Sequence, residues 1–384
     1  RTPVGKAPRG AFRSTRPDSL LAHALTSVLA RAPSLDPAAV DDVIVGCAMP
    51  EYEQGMNVAR IGVLLAGLPN TVAGMTVNRF CSSGLNAVSI AADRIRTGEA
   101  DVLIAAGTES MSMIPMLGRL SLNPEVFARD ENLGIAYGMG LTAEKVAQQW
   151  KVSRDAQDEF AYRSHMKAVA AMKAGEFASE ITEVEIAERS LDLESAEVAV
   201  AHRKVAIDEG ARPDTTVEAL GKLRPVFAAR GSVTAGNSSQ TSDGAGALIL
   251  VSEAALKRYN LTPLARFVSY ASRGVPPHIM GIGPIEAIPA ALKSAGLKQD
   301  AIDWFELNEA FAAQSLAVIN TLGLDPAKVN PMGGAIALGH PLGASGARLA
   351  TTAVNRLHAT GGKYALCTMC IGVGQGIALV LERV

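Results

Sequence analysis

One cysteine and one histidine stand in segments of small residues that suit nucleophilic chemistry. Cys81 follows a short apolar stretch and precedes a predicted helix over residues 84–96. A thiol at a helix N-terminus faces the positive end of the helix dipole, which lowers its pKa and favours the thiolate. The alternative is a small buried apolar residue, the usual fate of a free cysteine. The pattern predicts a nucleophile at Cys81 and leaves the core position open.

His340 is flanked by closely spaced glycines within residues 333–346. Glycines allow a backbone and an imidazole to approach a ligand closely. A neutral imidazole in such a segment can serve as the general base for a nearby thiol. A structural histidine in a turn is the alternative, and the density of glycines favours the catalytic interpretation.

Cys370 and Asn308 are two further candidates. Cys367 and Cys370 have the Cys-x-x-Cys spacing, but the sequence has no second pair and no nearby histidine cluster, so zinc is not expected. Residues three apart on a strand point to opposite faces, which predicts Cys367 in the core and Cys370 towards a site. Asn308 follows a predicted strand, where it can hold a water or an oxyanion or cap a helix.

An internal repeat relates the elements that position these residues. Residues 35–44 resemble residues 297–306 at a shift of 262, and the later strands match at 263. Under the shift of 262, Cys81 corresponds to Gly343, three residues after His340. The two side chains are therefore expected at equivalent corners of two related halves.

A third repeated block is out of register and indicates a long insertion in the first half. Residues 244–251 resemble residues 374–381, which places extra chain between about Met113 and Ser232. The predicted organisation is an N-terminal half of residues 1–112 plus 233–255, an inserted loop domain of residues 113–232, and a C-terminal half of residues 256–384. Short aliphatic strands alternating with helices predict an α/β fold with mostly parallel strands. One helix is predicted over residues 153–174, with Ser153 as its N-cap.

Composition excludes several other classes of protein. Among 384 residues, 36 Lys and Arg balance 38 Asp and Glu, which argues against a broad basic surface for nucleic acid. Glycine and proline interrupt the uncharged stretches of residues 329–347 and 364–381, so no membrane span is expected. No dinucleotide or Walker A motif is present. Four cysteines are too few for a disulfide scaffold and favour a reducing, cytoplasmic location, with a leader before Arg1 left open.

Taken together, four motifs resemble those of the thiolase family, in the family's order and over essentially the whole chain. They are the segment around Cys81, Asn308-Glu-Ala-Phe, the glycine segment ending in His340-Pro, and Cys370-Ile-Gly-Val-Gly-Gln-Gly. The short strand that usually precedes Arg-Thr-Pro-Val-Gly in the family is absent. The resemblance implies a five-layer αβαβα fold and reversible acyl transfer between coenzyme A thioesters.

The resemblance also implies a role for each candidate residue. Cys81, activated by His340, would attack the keto carbon of a 3-ketoacyl-CoA, and Cys370 would protonate the departing acetyl-CoA carbanion. The backbone N–H groups of Cys81 and Gly372 would form one oxyanion hole. His340, with a water held by Asn308, would form the other. Coenzyme A and acyl-CoA would be substrates, with no metal and no permanently bound cofactor.

Further expectations concern coenzyme A, substrate range and assembly. Ser239 would contact the pantetheine arm of CoA, and Arg212 would contact a CoA phosphate. Gly138 stands where acetoacetyl-specific relatives often carry a histidine, so broader 3-ketoacyl-CoA activity is expected, with a short-chain acetoacetyl-CoA thiolase as the alternative. A short segment at residues 112–135 favours a homodimer over a homotetramer.

Two alternatives lie outside this activity. A decarboxylating ketosynthase would normally carry two histidines near the site, and Cys370 argues against it. A non-catalytic lipid-binding or scaffold protein of the same fold is the other alternative. Retention of Cys81, Asn308, His340 and Cys370 together argues against it.

Overall fold

The strands of the described residues form two main sheets and one hairpin. The structure, a computed structural model, describes residues 1–116, 118, 121–191, 194–195 and 197–384. The strands are β1 (Gly5–Lys6), β2 (Asp42–Gly46), β3 (Ala73–Val77), β4 (Val102–Ser110), β5 (Val184–Leu191), β6 (Val198–Val205), β7 (Ser242–Val251), β8 (Ala265–Gly274), β9 (Trp304–Leu307), β10 (Tyr364–Ile371) and β11 (Gln375–Arg383). The helices are α1 (Pro17–Ala30), α2 (Val58–Leu65), α3 (Ser83–Arg96), α4 (Met139–Gln149), α5 (Arg154–Lys173), α6 (Val217–Gly221), α7 (Glu253–Arg258), α8 (Gly283–Ala295), α9 (Ala312–Leu322), α10 (Ala335–Leu338) and α11 (Leu342–Thr360).

Four strands of the first main sheet recur in the same order in the second, which confirms the predicted duplication. The first sheet has the order β1-β7-β4-β2-β3, and the second has the order β8-β11-β10-β9. Asp42 pairs with Leu103 in the first sheet, and Trp304 pairs with Ala365 in the second. Trp304 lies 262 residues after Asp42, and Ala365 lies 262 residues after Leu103, so the register of the repeat holds through the strands. The predicted slip to 263 is therefore wrong.

The prediction of mostly parallel strands is also wrong, because each sheet is mixed. Strand β2 pairs in parallel with β3 and β4, and β9 pairs in parallel with β10. The strands β7 and β11 are antiparallel to both of their neighbours. The reason is clear at β10 and β11, which a tight turn joins directly, so that the second strand must run back along the first.

Helices separate and cover the two sheets, which gives the predicted five layers. Helices α3 and α11 pack against each other between the sheets, α1 and α2 cover the outer face of the first sheet, and α8 covers the outer face of the second. The central helices approach closely because glycines face each other. A Cβ at Gly84 would lie 2.6 Å from the carbonyl oxygen of Gly343 and 2.8 Å from the backbone nitrogen of Ala347. Close packing here fixes one half relative to the other.

The chain between β4 and β7 contributes α4, α5, α6 and the β5–β6 hairpin. Helix α5 begins after Ser153, whose hydroxyl accepts the N–H of Ala156 at 3.2 Å, as the capping pattern predicts. This helix packs against α9 and α10 of the second half. The three domain boundaries drawn from the sequence stay a prediction. No helix within the described ranges is long and apolar enough to cross a membrane.

Candidate active site

Cys81 lies in a tight turn, Phe80–Ser82, between β3 and α3. Phe80 has a φ of 46°, a left-handed conformation that bulky residues rarely adopt. Side chains hold the turn, because Asn78 Oδ1 accepts the N–H of Phe80 at 2.8 Å and Ser83 Oγ donates to the carbonyl of Phe80 at 2.6 Å. Such a conformation persists only where its surroundings impose it, and it fixes the direction of the Cys81 thiol.

The electrostatic surroundings of Cys81 differ from the sequence prediction. Burial raises the pKa of the Cys81 thiol to about 11, while hydrogen bonds from the backbone N–H groups of Gly372 and Cys81 act in the opposite direction. The nearby buried carboxylate of Glu109 adds to the rise in pKa. Burial therefore outweighs these N–H groups, and the thiol is the resting form of Cys81 at neutral pH.

Cys370 lies on β10 beside Cys81. Burial raises the pKa of the Cys370 thiol well above its usual range, and the proximity of Cys81 raises it further. Cys370 packs in a small cluster with Met139, Met280 and Phe311. Cys367, three residues earlier, packs instead in the core between the two sheets. The two cysteines are thus separated by the pleat of the strand, and only Cys370 adjoins the candidate nucleophile.

The turn after β10 brings a backbone N–H group to Cys81. It consists of Gly372, Val373 and Gly374, and the last two have φ values of 66° and 88°. A Cβ at Gly372 would lie 3.6 Å from the sulfur of Met139, and Phe80 lies close by. The turn is therefore packed against the segment that carries Cys81, which directs the N–H of Gly372 to the sulfur.

The imidazole of His340 is buried and held at both nitrogens. Nδ1 lies 2.6 Å from Ser345 Oγ, and Nε2 lies 3.3 Å from Nδ2 of Asn308. The Ser345 hydroxyl donates its only hydrogen to the carbonyl of Pro341 at 2.9 Å, so it accepts from Nδ1–H. In this tautomer Nε2 carries a lone pair, which accepts a long hydrogen bond from Nδ2 of Asn308. Burial, assisted by the charge of Arg348, lowers the pKa of His340 to about 3, so the ring is neutral.

Sequence reasoning did not identify Ser345 as part of this site. Its only signal is its position, five residues after His340 in the first turn of α11. A hydroxyl that holds the far nitrogen of a general base selects the tautomer and the orientation of the ring.

Asn308 follows β9 directly, and its place connects the two parts of the site. Its backbone N–H donates to the carbonyl of Thr368 at 3.0 Å, on the strand that carries Cys370 two residues later. Its Oδ1 is buried and has no hydrogen-bond partner among the residues that the structure describes. Asn308 does not cap α9, whose N-cap residue is Phe311, so the capping alternative is wrong.

The residues expected to contact coenzyme A lie on two different loops. Ser239 is half-buried, and its N–H donates to the carbonyl of Ala310 at 2.9 Å. Thr241, two residues later, forms a bridge with His340, so Ser239 adjoins the site. Arg212 is exposed, and its backbone N–H donates to Nδ1 of His165 at 3.2 Å.

Within the described part of the chain, no group of three or more His, Cys, Asp or Glu side chains is arranged to hold a metal ion. The site instead offers two thiols, a neutral imidazole, an amide and directed backbone N–H groups. These groups can form a covalent thioester and stabilise an oxyanion.

Comparison with known proteins assigns the class of this fold and site. Residues 1–254 match the sequence profile of the thiolase N-terminal domain, and residues 261–383 match that of the thiolase C-terminal domain. The two matches cover nearly the whole chain, and the class is that of acyltransferases with the thiolase fold. The chain belongs to the thiolase family.

Relatives and solved structures agree over the full length. The 3-ketoacyl-CoA thiolase of Bacillus subtilis strain 168 is 48% identical over 388 residues, covering 100% of this chain and 97% of the relative. The 3-oxoadipyl-CoA/3-oxo-5,6-dehydrosuberyl-CoA thiolase of Escherichia coli K12 is 47% identical, covering 100% and 98%. The crystal structure of human mitochondrial 3-ketoacyl-CoA thiolase has a TM-score of 0.89 at 39% identity, covering 100% of this chain and 97% of that one.

Proposed function

We propose that the protein cleaves 3-ketoacyl-CoA with coenzyme A, giving acetyl-CoA and a shortened acyl-CoA, and catalyses the reverse condensation. The observation that carries the proposal is the placement of Cys81 beside Cys370 at the N–H of Gly372. One thiol can then hold the acyl group while the other transfers a proton. The family and the names of the relatives support the same activity.

In the first half-reaction, Nε2 of His340 accepts the proton of the Cys81 thiol as the sulfur attacks the keto carbon. The carbon–carbon bond then breaks, and its electron pair passes to the α-carbon of the departing acetyl-CoA. Cys370 donates its proton to that carbon. The products of this step are acetyl-CoA and an acyl thioester on Cys81.

In the second half-reaction, a new coenzyme A thiol attacks the thioester on Cys81. The Cys370 thiolate accepts the proton of that thiol, and His340 returns its proton to the Cys81 sulfur as the shortened acyl-CoA departs, so that all three groups regain their resting states. Each half-reaction places negative charge on an oxygen. The N–H groups of Cys81 and Gly372 would stabilise the oxyanion of the tetrahedral intermediate. The His340 ring, with a water held by Asn308, would stabilise the enolate of acetyl-CoA.

The neutral resting states of Cys81 and His340 are compatible with this mechanism. A thiol with a pKa near 11 and an imidazole with a pKa near 3 do not form an ion pair at neutral pH. Proton transfer therefore accompanies attack, and the oxyanion donors must supply stabilisation that appears only in the transition state.

The experiment that tests this function is intact-protein mass spectrometry after brief incubation with acetyl-CoA. We expect one added acetyl group on the wild type and none on Cys81→Ala. A folded, CoA-binding wild type without an adduct, and without turnover of any 3-ketoacyl-CoA, would favour the non-catalytic alternative. An adduct that persists in Cys81→Ala would assign the acyl group to another residue.

We propose a broad 3-ketoacyl-CoA range rather than acetoacetyl-CoA alone. Gly138 leaves open space, because nothing lies within 4 Å of a Cβ built on it. It immediately precedes Met139, which packs in the cluster around Cys370. A profile of kcat/KM against acyl length tests the range, and activity on acetoacetyl-CoA with none on longer substrates contradicts it.

We propose two contacts with coenzyme A. Ser239 adjoins His340 and suits a pantetheine contact, and the exposed Arg212 is available to a phosphate. Loss of affinity for CoA in Ser239→Ala and Arg212→Ala, measured as KM, tests both.

We propose a homodimer through the edge of the first sheet. Strand β3 is an edge strand, and exposed apolar side chains occur on it at Met75 and before it in the chain at Tyr52, Met56 and Leu65. Residues 112–135 favour a dimer over a tetramer, although residues 117, 119 and 120 within them lie outside the described residues. Light scattering on the purified protein distinguishes the mass of a dimer from that of a tetramer.

The four free cysteines support a reducing, cytoplasmic location, which fractionation of the source cells tests.

A further inference from the structure

The carboxylate of Glu309 has no part in the chemistry proposed above, yet it is buried next to Asn308. Its Oε1 accepts from Nδ2 of Asn330 at 2.9 Å. Its Oε2 accepts from the hydroxyl of Ser164 at 2.6 Å and from the N–H of Ile336 at 3.3 Å. Each of these neighbours is a donor, and each holds a different segment against the carboxylate.

The segment that leads to His340 is built around this carboxylate. A Cβ at Gly334 would lie 2.2 Å from the carboxylate carbon of Glu309, so a larger residue there would displace the carboxylate. The N–H of Gly334 donates to Ser164 Oγ at 3.1 Å. Gly333, with a φ of 78°, packs against the backbone of Ser164. The short helix α10 follows directly and ends at Leu338, two residues before His340.

Helix α5 connects this arrangement to the loop that holds Arg212. Ser164 lies on α5, within the insertion between the strands of the first sheet. The next residue, His165, accepts the backbone N–H of Arg212 at 3.2 Å. Two neighbouring residues of one helix therefore hold the segment that leads to the proposed general base and the loop proposed to bind a CoA phosphate.

We propose that Glu309 and Ser164 are positioning residues for His340, fixing the segment from Gly334 to Gly339 against helix α5. This proposal rests on the function proposed above, in which His340 accepts the proton of Cys81. The two side chains act through His340, because their hydrogen bonds join them to each other and to Asn330, Gly334 and Ile336. A displacement of the base by about 1 Å is enough to lower a catalysed rate about 100-fold.

The test compares Glu309→Gln and Ser164→Ala with the wild type. Glutamine has the shape of glutamate, but its amide nitrogen would face Asn330 Nδ2 in one orientation and the N–H of Ile336 in the other. Asn330 cannot turn its amide, because its Oδ1 accepts the N–H of Leu307 at 2.9 Å and its Nδ2 also donates to the carbonyl of Leu307 at 2.7 Å. The variant therefore places two donors together.

The readout is the rate at which acetyl-CoA acetylates Cys81, followed by intact mass well below the melting temperature. We expect the rate to fall about tenfold or more in Glu309→Gln and by a smaller factor in Ser164→Ala, with KM for acetyl-CoA within about twofold of the wild type. Arg163→Ala is the matched control, because Arg163 precedes Ser164 and its exposed side chain pairs with Glu159. It should acetylate at the wild-type rate.

A double-mutant comparison separates positioning from a purely structural role. If Glu309 acts through His340, Glu309→Gln should change the slow rate of His340→Ala by less than about twofold. An equal loss in both backgrounds overturns the proposal, as do wild-type rates in both Glu309→Gln and Ser164→Ala. If Glu309→Gln does not fold, Ser164→Ala with and without His340→Ala decides alone. A wild type that does not acetylate Cys81 contradicts the proposed function instead.

Discussion

The reactivity of Cys81 towards an alkylating agent, followed as a function of pH, tests the electrostatic account of the site. Burial raises the pKa of this thiol to about 11, because the charged form loses more hydration than the nearby N–H groups restore. A solvent-exposed thiol has a pKa of about 8.5, so at pH 7.5 about 9% of it is ionised. For Cys81 the ionised fraction at that pH is about 0.03%, about 300-fold less.

The greater basicity of the Cys81 thiolate recovers part of this difference. Nucleophilicity rises with pKa with a Brønsted slope of about 0.4–0.5, which over about 2.5 pKa units returns about tenfold. The net expectation is that iodoacetamide alkylates Cys81 about 30-fold more slowly than a small-molecule thiol at pH 7.5. The rate should rise about tenfold for each pH unit up to about pH 10, because the thiolate fraction does so throughout that range.

Intact mass spectrometry measures this rate, with Cys81→Ala giving the background from the three other buried cysteines. The unfolded protein in denaturant should show an inflection near the ordinary thiol pKa. A plateau at neutral pH that disappears in His340→Ala would refute the reasoning, because it would reveal an imidazolium–thiolate pair. Since the pKa of His340 is lowered to about 3, the ring should remain neutral across the whole measured range.

Three further predictions concern the tautomer, the packing and the substrate range. Ser345→Ala removes the acceptor for Nδ1–H of His340, so kcat should fall at least about tenfold with KM for acyl-CoA little changed; an unchanged kcat contradicts the assigned tautomer. Gly343→Ala should lower the free energy of unfolding by about 3 kcal/mol in chemical denaturation, because its Cβ would lie 2.8 Å from the carbonyl oxygen of Thr108 and close to other backbone atoms. Gly138→Ala, whose Cβ meets nothing within 4 Å, is the matched control and should change stability by less than about 0.5 kcal/mol. Gly138→His should shift kcat/KM towards acetoacetyl-CoA, and an unchanged chain-length profile argues against a role for this position in selectivity.

The repeat made much of the fold predictable from the sequence. A constant shift of 262 residues requires equivalent strands and helices in the two halves, and the paired registers at Asp42 and Trp304 follow it. The same shift relates Cys81 to Gly343, and the close contact between α3 and α11 at Gly84 and Gly343 is the structural counterpart of that relation. A repeat is informative because a strand or helix predicted in one half is expected at the equivalent position in the other half.

The parts that the sequence did not predict depend on contacts between distant segments. The pKa of Cys81 is set by burial under chain from the second half and by the N–H of Gly372, almost 300 residues away. The hydroxyl of Ser345 accepts from Nδ1–H of His340 because it donates its own hydrogen to the carbonyl of Pro341. The role proposed for Glu309 depends on Ser164 of the inserted chain. Helix propensity, glycine spacing and dipole arguments are local, and none of them contains these contacts.

The two halves supply complementary parts of the site, and this division explains where precision is needed. The thiol of Cys81 comes from the first half, while Asn308, His340 and Cys370 come from the second. A thiolate–imidazolium pair would draw the halves together by charge, but the buried neutral groups exert no such attraction. Geometry must then come from packing. The glycine contact between α3 and α11 sets the position of Cys81 relative to the second half, and the contacts of Ser345 and Glu309 set the position of His340 within it. In a site with uncharged resting groups, these contacts determine whether a proton can pass from sulfur to nitrogen.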